Sequence, residues 1–198
     1  MEEIILSKKL LILDLDETLV HSSTKLKKFG IDYDFTFDKY FVYKRPFLKQ
    51  FLEYCLSNFQ VAVWSSASEE YVNYIVSKIF PNPEKLIFIW AKDKCTIKFS
   101  ENEKYSAFFH GPYYLKNLRK IKRKGYDLKK VIVIDNTIIT HQKNYGNLIH
   151  IEDFEGDPDD YELNYMMKYL EIIKDEANIR AIEKRGWRNK FIKNGNEK

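Results

Sequence analysis

Cysteine is nearly missing from this 198-residue chain, which has only Cys55 and Cys95. Two distant cysteines cannot form a disulfide framework, so both are read as thiols in a reducing compartment. Glycine (7) and proline (5) are sparse, and no internal repeat or low-complexity segment is present. No apolar run approaches the ~20 residues needed to span a bilayer. The start, Met1-Glu2-Glu3-Ile4, is acidic and has neither the basic opening nor the small-residue cleavage site of a signal peptide. An intracellular protein, nuclear or cytoplasmic and with no membrane association, is therefore expected. Charge of one sign is in little excess, with 33 Lys and Arg against 29 Asp and Glu for a net +4. The basic residues concentrate late, at Arg180, Lys184, Arg185, Arg188, Lys190, Lys193 and Lys198. We read a single domain over residues 1–186 and a solvated basic tail over 187–198, with nucleic acid not the expected partner.

What is present is an apolar, strand-rich pattern. Lys9-Leu10-Leu11-Ile12-Leu13 reads as a strand buried on both faces, and it ends at once in Asp14 and Asp16, with Thr18 beyond. Asp32 to Phe37 and Tyr40 to Tyr43 alternate around Asp38-Lys39, the pattern of a β-hairpin, after a polar stretch from His21 to Gly30. Pro46 sits where it would open a helix, and Phe47, Phe51, Cys55 and Phe59 form its apolar stripe. Val61 to Trp64 is a second buried strand, followed by Ser65 and by Ser66, which with Glu69 fits a capping box. Leu86 to Trp90 is a third strand. Between Ala91 and Gly111 the period breaks into short aromatic pieces, read as a β insertion. Tyr114, Leu115, Leu118 and Ile121 mark a short helix that carries Lys116 and ends near Gly125. Val131 to Ile134 and Leu148 to Ile151 are two more buried strands. Asp157-Pro158-Asp159-Asp160 starts a last helix, expected to reach near Gly186. Strands alternating with helices predict an α/β fold, a three-layer parallel sheet with right-handed crossovers.

Ligands bind at the carboxyl ends of strands in such sheets. Here those ends and the segments after them carry Asp14, Asp16, Ser65, Lys116, Asp135 and Asn136. Each has a bland reading alone: a helix start for Ser65, a solvated lysine for Lys116, a turn for Asp135-Asn136. Together, carboxylates and a carboxamide supply hard oxygen ligands for Mg²⁺. A hydroxyl and a lysine supply donors for phosphate oxygens.

Asp14-Leu15-Asp16-Glu17-Thr18-Leu19-Val20-His21 resembles the signature of the haloacid dehalogenase-like phosphotransferases, in particular the phosphatases of the RNA polymerase II C-terminal domain. Lys44-Arg45-Pro46-Phe47-Leu48, Val63-Trp64-Ser65-Ser66-Ala67, the Lys116 segment, Val133-Ile134-Asp135-Asn136 and Asn144-Tyr145-Gly146-Asn147 are similar to further stretches of that family, over roughly residues 8 to 175. The resemblance implies a Rossmann-like, haloacid dehalogenase-like sheet and a Mg²⁺-dependent protein phosphatase, a phosphoric monoester hydrolase. In it Asp14 would be the nucleophile that forms an aspartyl-phosphate. Asp16 would be general acid and then base. Thr18 would hold the loop and, with Ser65, Ser66 and Lys116, bind the phosphoryl group. The metal would be held by Asp14, the Asp16 carbonyl and Asn136, with Asp135 acting directly or through water. Ser65 stands where many members carry Thr, and Lys92-Asp93-Lys94-Cys95 matches the family's substrate-side pattern only loosely.

About fifty residues separate Asp14 from Ser65, and a similar span separates Ser65 from Lys116, which leaves no room for a large cap domain. An uncapped site suits a phosphopeptide or phosphoprotein carrying phosphoserine or phosphothreonine. Tyr105, Phe108 and Phe109 either form an apolar shelf beside the site or pack the insertion down. Lys44 and Arg45 either contact an acidic substrate or, for Arg45, hold the hairpin in place. Two other readings stay open: a non-catalytic binding module on the same fold, and a phosphatase of small metabolites or nucleic-acid ends.

Overall fold

The computed structural model of the chain describes residues 8–26, 32–99 and 113–192. Strand β1 (Leu10–Leu13) is central in a five-stranded sheet. It lies between β5 (Gln60–Trp64) and β9 (Val131–Asp135), with β6 (Ile89–Trp90) outside β5 and β10 (Leu148–His150) outside β9. Every pairing in this sheet is parallel. Period-2 alternation sends successive side chains to opposite faces. Leu11, Leu13, Val61, Val63, Ile132 and Ile134 face a core closed by α1 (Leu48–Asn58), α2 (Glu69–Ile79) and α4 (Glu162–Ile173). Leu10, Ile12, Ala62, Trp64, Val131 and Val133 face a second core with Leu118 and Ile121, beside and within α3 (Arg119–Arg123). Each such fully buried Leu, Ile or Val contributes about 1.5–3 kcal/mol. The result is the three-layer α/β sheet that the strand and helix alternation predicts.

The hairpin after β1 exists as β3 (Phe35–Phe37) and β4 (Tyr40–Lys44), but it is part of a three-stranded sheet. Its third member, β2 (Val20–Ser23), pairs with β4 and falls in and just before the stretch read as polar loop. A strand of His21, Ser22 and Ser23 has no apolar alternation to announce it. The insertion pairs β7 (Thr96–Lys98) with β8 (Tyr113–Leu115). Tyr105, Phe108 and Phe109 lie outside the described residues.

Several boundaries differ from expectation. Pro46 is in a turn, and α1 starts two residues later, after Phe47 with φ 63°. The Arg45 amide just before this turn donates to the Leu19 carbonyl at 3.0 Å. Ser66 does not cap α2; Ser68 does, accepting from the Tyr71 amide. Lys116 is not helical but lies between β8 and α3. The third strand pairs as a strand only over Ile89–Trp90, after a tight turn at Pro83–Lys85. Asp157 to Asp160 form turns rather than a helix start, with Asp157 and Asp160 accepting from the amides two residues on. Helix α4 ends at Ile173, and the chain then folds back over the domain. Packed structure continues past residue 186: Trp187 is buried and stacks on Tyr169.

Candidate active site

Strand register builds the site. Leu13 lies level with Val63 and with Ile134, so the residues that follow these strands emerge at one end of the sheet. The Asp14 amide donates to the Ile134 carbonyl at 3.0 Å, and the Ser65 amide to the Trp90 carbonyl at 2.9 Å. Asp135, at the end of β9, is completely buried. Lys116 arrives from the other direction, anchored by its amide to the Thr140 carbonyl.

The Lys116 ammonium bridges Asp14 Oδ1 at 2.7 Å and Asp135 Oδ2 at 2.6 Å. Burial alone would lower the Lys116 pKa, but Asp135 and Asp14 outweigh it and hold the lysine charged, above its usual range. Burial would likewise raise Asp135, yet Lys116 and the His141 bond overturn it and keep that carboxyl well below the usual range. Asp14 goes the other way, pushed up to about 7 by burial and by the Asp135 charge, against Lys116. His141 Nε2 donates to Asp135 Oδ2 at 2.9 Å, and Thr137 N to Oδ1 at 2.7 Å, so both oxygens of Asp135 are held. Burial lowers the His141 pKa and favours the neutral ring.

Asp16 sits on the loop after β1. Tyr71 Oη donates to its Oδ1, and Ser65 Oγ lies 3.5 Å from Oδ2. Ser22 Oγ is 2.6 Å from the same phenol oxygen. Burial raises the Asp16 pKa, and the Tyr71 bond partly offsets it. The loop itself is tight: the Thr18, Leu19 and Val20 amides all point at the Leu15 carbonyl, and Glu17 has φ 57°. Thr18 Oγ1 donates to Asn136 Oδ1 at 3.2 Å and accepts from the Asn136 amide at 3.3 Å. This joins the loop after β1 to the loop after β9.

Asp14, Asp16, Thr18, Ser65, Lys116, Asp135 and Asn136 therefore converge. Ser66 is set apart: its hydroxyl is buried beside the Cys95 thiol rather than against the carboxylates. Arg45 does not reach toward a substrate. Its buried guanidinium bonds Asp160, the Thr18 carbonyl at 3.0 Å and the Glu152 carbonyl at 2.9 Å. Sequence reasoning missed Tyr71, Ser22, His141, Asp153 and Asp160. Asp153, which accepts from Asn136 Nδ2 at 2.8 Å, lies just before the Asp157–Asp160 stretch read as a helix start, and Asp160 lies within it. Tyr71 and His141 carried no signal, since one sits on an apolar helix face and the other in a short turn.

The donor set fits Mg²⁺. Three carboxylates, Asp14, Asp16 and Asp135, face a single lysine, and burial together with the Asp135 charge raises Asp14, a charge imbalance that a cation would relieve. Among the described residues no three His, Cys, Asp or Glu side chains are placed to hold a metal by themselves. Mg²⁺ needs no such cage, because it binds one or two carboxylates and keeps several waters.

The comparisons agree with this architecture. The fold matches that of fission yeast RNA polymerase II CTD phosphatase Fcp1 with TM-score 0.51, over 87% of this chain and 53% of that one, at 18% identity. A second Fcp1 structure matches with TM-score 0.55, over 90% of this chain and 54% of that one, also at 18% identity. Residues 9–180 match the family described as NLI interacting factor-like phosphatase, and the chain belongs to that family. It is 32% identical over 175 residues to CTD small phosphatase-like protein 2 of Dictyostelium discoideum, covering 86% of this chain and 28% of that protein. It is 27% identical over 197 residues to Nuclear envelope morphology protein 1 of Saccharomyces cerevisiae, covering 88% and 41% respectively. CTD nuclear envelope phosphatase 1 of Xenopus laevis is 27% identical over 188 residues, covering 88% and 71%. The chain thus spans well under half of the first two relatives.

Proposed function

We propose that the protein is a Mg²⁺-dependent phosphatase of phosphoserine or phosphothreonine in proteins, working through an aspartyl-phosphate. The observation that carries this is the Lys116 bridge between Asp14 and Asp135 at the tips of two adjacent parallel strands. In the first step Asp14 attacks phosphorus, the ester P–O bond breaks, and Asp16 gives its proton to the leaving oxygen. In the second, Asp16 takes a proton from water, the water attacks phosphorus, and the bond to Asp14 breaks to release phosphate. An ammonium has three donors. Two of those on Lys116 are used on Asp14 and Asp135, leaving one for a phosphoryl oxygen. Ser65 Oγ accepts from the Ala67 amide at 3.0 Å, and its proton, held only by a long 3.5 Å bond to Asp16 Oδ2, can turn to a second phosphoryl oxygen. Mg²⁺ held by Asp14, the Asp16 carbonyl and Asn136, with Asp135 direct or through water, would offset the phosphoryl charge.

The substrate reading rests on the opening beside Asp16. A cleft of about 360 Å³ is lined by Asp16, Glu17, Ser22, Phe37, Tyr40, Ala67, Ser68 and Tyr71. It is open enough for a side chain flanking a phosphorylated residue, and no cap encloses it among the described residues. An intracellular setting suits such a substrate, and among the relatives one is named a nuclear envelope phosphatase. Turnover on phosphopeptides, nucleotides and sugar phosphates tests this. Preference for the phosphopeptide supports it, and equal or better turnover of the small phosphates contradicts it.

A further inference from the structure

The segment after residue 186 lies beyond the part matched to the family, yet it reaches toward both loops of the site. Trp187 is buried, stacks on Tyr169 with centroids 5.4 Å apart, and donates from Nε1 to the His150 carbonyl at 2.7 Å. His150 in turn donates from Nε2 to the Asn136 carbonyl at 2.9 Å. Arg188 forms an ion pair with Glu162, whose carboxylate is buried at the start of α4. The Glu162 amide donates to Asp160 Oδ1 at 3.0 Å. Asp160 holds the Arg45 fork, and Arg45 holds the Thr18 carbonyl. Two chains of contacts therefore run from adjacent residues, one to the Asn136 loop and one to the Thr18 loop. Those loops meet in the Thr18–Asn136 hydrogen bonds.

We propose that Trp187 and Arg188 are positioning residues, and that the segment carrying them braces the Thr18 and Asn136 loops in the geometry needed for phosphoryl transfer. The proposal rests on the catalytic reading above. Neither residue touches the reacting atoms; Arg188 acts through the buried Glu162 carboxylate and Trp187 through the backbone of the half-buried His150. Burial of Glu162 raises its pKa, while Arg188 and Arg45 pull it down, so loss of Arg188 leaves an uncompensated acid against the Asp160–Arg45 pair.

The test uses the full chain with Arg188→Ala, Arg188→Lys and Trp187→Phe, the last keeping an aromatic ring for Tyr169 but losing the indole donor. Each is assayed for kcat and KM on an aryl phosphate with Mg²⁺, and for amide hydrogen exchange by mass spectrometry. The brace predicts that kcat falls about three- to tenfold in Arg188→Ala and Trp187→Phe with KM little changed, since small misplacement near reacting groups costs rate. Arg188→Lys recovers most of it. Exchange rises in peptides spanning Glu17 to Val20 and Asn136 to Thr140, while β1 and β9 stay protected. Unchanged loop exchange overturns the proposal, and so does a uniform rise that includes β1 and β9. If the wild-type protein turns over nothing while loop exchange still responds, the brace stands and the catalytic reading fails.

Discussion

Arg45 and Asp160, 115 residues apart, form a two-pronged pair inside the protein: Nε donates to Oδ1 at 2.9 Å and Nη2 to Oδ2 at 2.8 Å. The Arg45 side chain is 0% exposed, and its remaining donors serve the Thr18 and Glu152 carbonyls. Planar, always charged and five-donor, a guanidinium suits this job where an ammonium does not. The pair fastens the acidic segment after β10 to the loop that carries Asp16 and Thr18.

Arg45→Ala should be strongly destabilising. It takes the charge partner from the Asp160 carboxylate and the guanidinium donors from the Thr18 and Glu152 carbonyls, a loss of about 3–5 kcal/mol for a broken buried pair. Urea unfolding followed by circular dichroism reads this directly. Arg45→Lys should fall between the two, because one point charge cannot serve all four acceptors.

The raised pKa of Asp14 gives stability a definite pH dependence. In the folded, metal-free protein Asp14 titrates at about 7, against 3.8 for the free group. Its contribution is therefore full below pH 3.8 and lost as pH rises through about 7. Asp14→Asn removes that dependence, so at pH 8 without metal the variant should be the more stable protein, by up to about 4 kcal/mol. At pH 5 the difference should shrink to about 1.5 kcal/mol, and it should vanish only below about pH 4. Added Mg²⁺ should stabilise the wild type and narrow the gap at pH 8. Thermal or urea unfolding of both proteins at the two pH values measures it.

Asp16→Asn should separate the two chemical steps. An aryl phosphate has a good leaving group that scarcely needs a proton, so transfer to Asp14 survives. Hydrolysis of the aspartyl-phosphate, which needs a base, slows by about 10²–10⁴-fold. Rapid mixing should show a burst of close to one phenolate per protein followed by a slow steady state. A burst-free trace at the wild-type rate would remove Asp16 from the mechanism.

The cleft beside Asp16 should matter to peptides and not to small esters. Tyr40→Ala deletes an aromatic ring that lines the opening together with Phe37 and Tyr71. KM for a phosphopeptide should rise several-fold while kcat/KM for the aryl phosphate stays near wild type. Steady-state kinetics on both substrates decides it.

The sheet and the strand-end residues were legible in the sequence because they obey local rules. Leu10 to Leu13, Val61 to Trp64 and Val131 to Ile134 are continuous apolar runs, and polar residues follow each of them. What was not legible depends on contacts made across the fold. Arg45 was balanced between substrate and scaffold until Asp160, far along the chain, settled it. Tyr71 carries nothing in its local pattern to mark it out, and only the fold aims its hydroxyl at Asp16. Lys116 looked helical because Tyr114, Leu115, Leu118 and Ile121 mimic a helical stripe; pairing of β8 with β7 overrode that period. The Asp157–Pro158 start looked capped, but Asp160 is drawn to Arg45 and α4 begins only at Glu162.

The most direct test of the account is hydrolysis of a chromogenic aryl phosphate by the full chain with Mg²⁺, with excess chelator, and by Asp14→Asn with Mg²⁺. The account predicts turnover in the first case and none above background in the other two. Turnover that survives either the chelator or the loss of Asp14 would contradict it. So would a folded, Mg²⁺-supplied wild-type protein with no turnover at all, which would point instead to a binding module built on this fold.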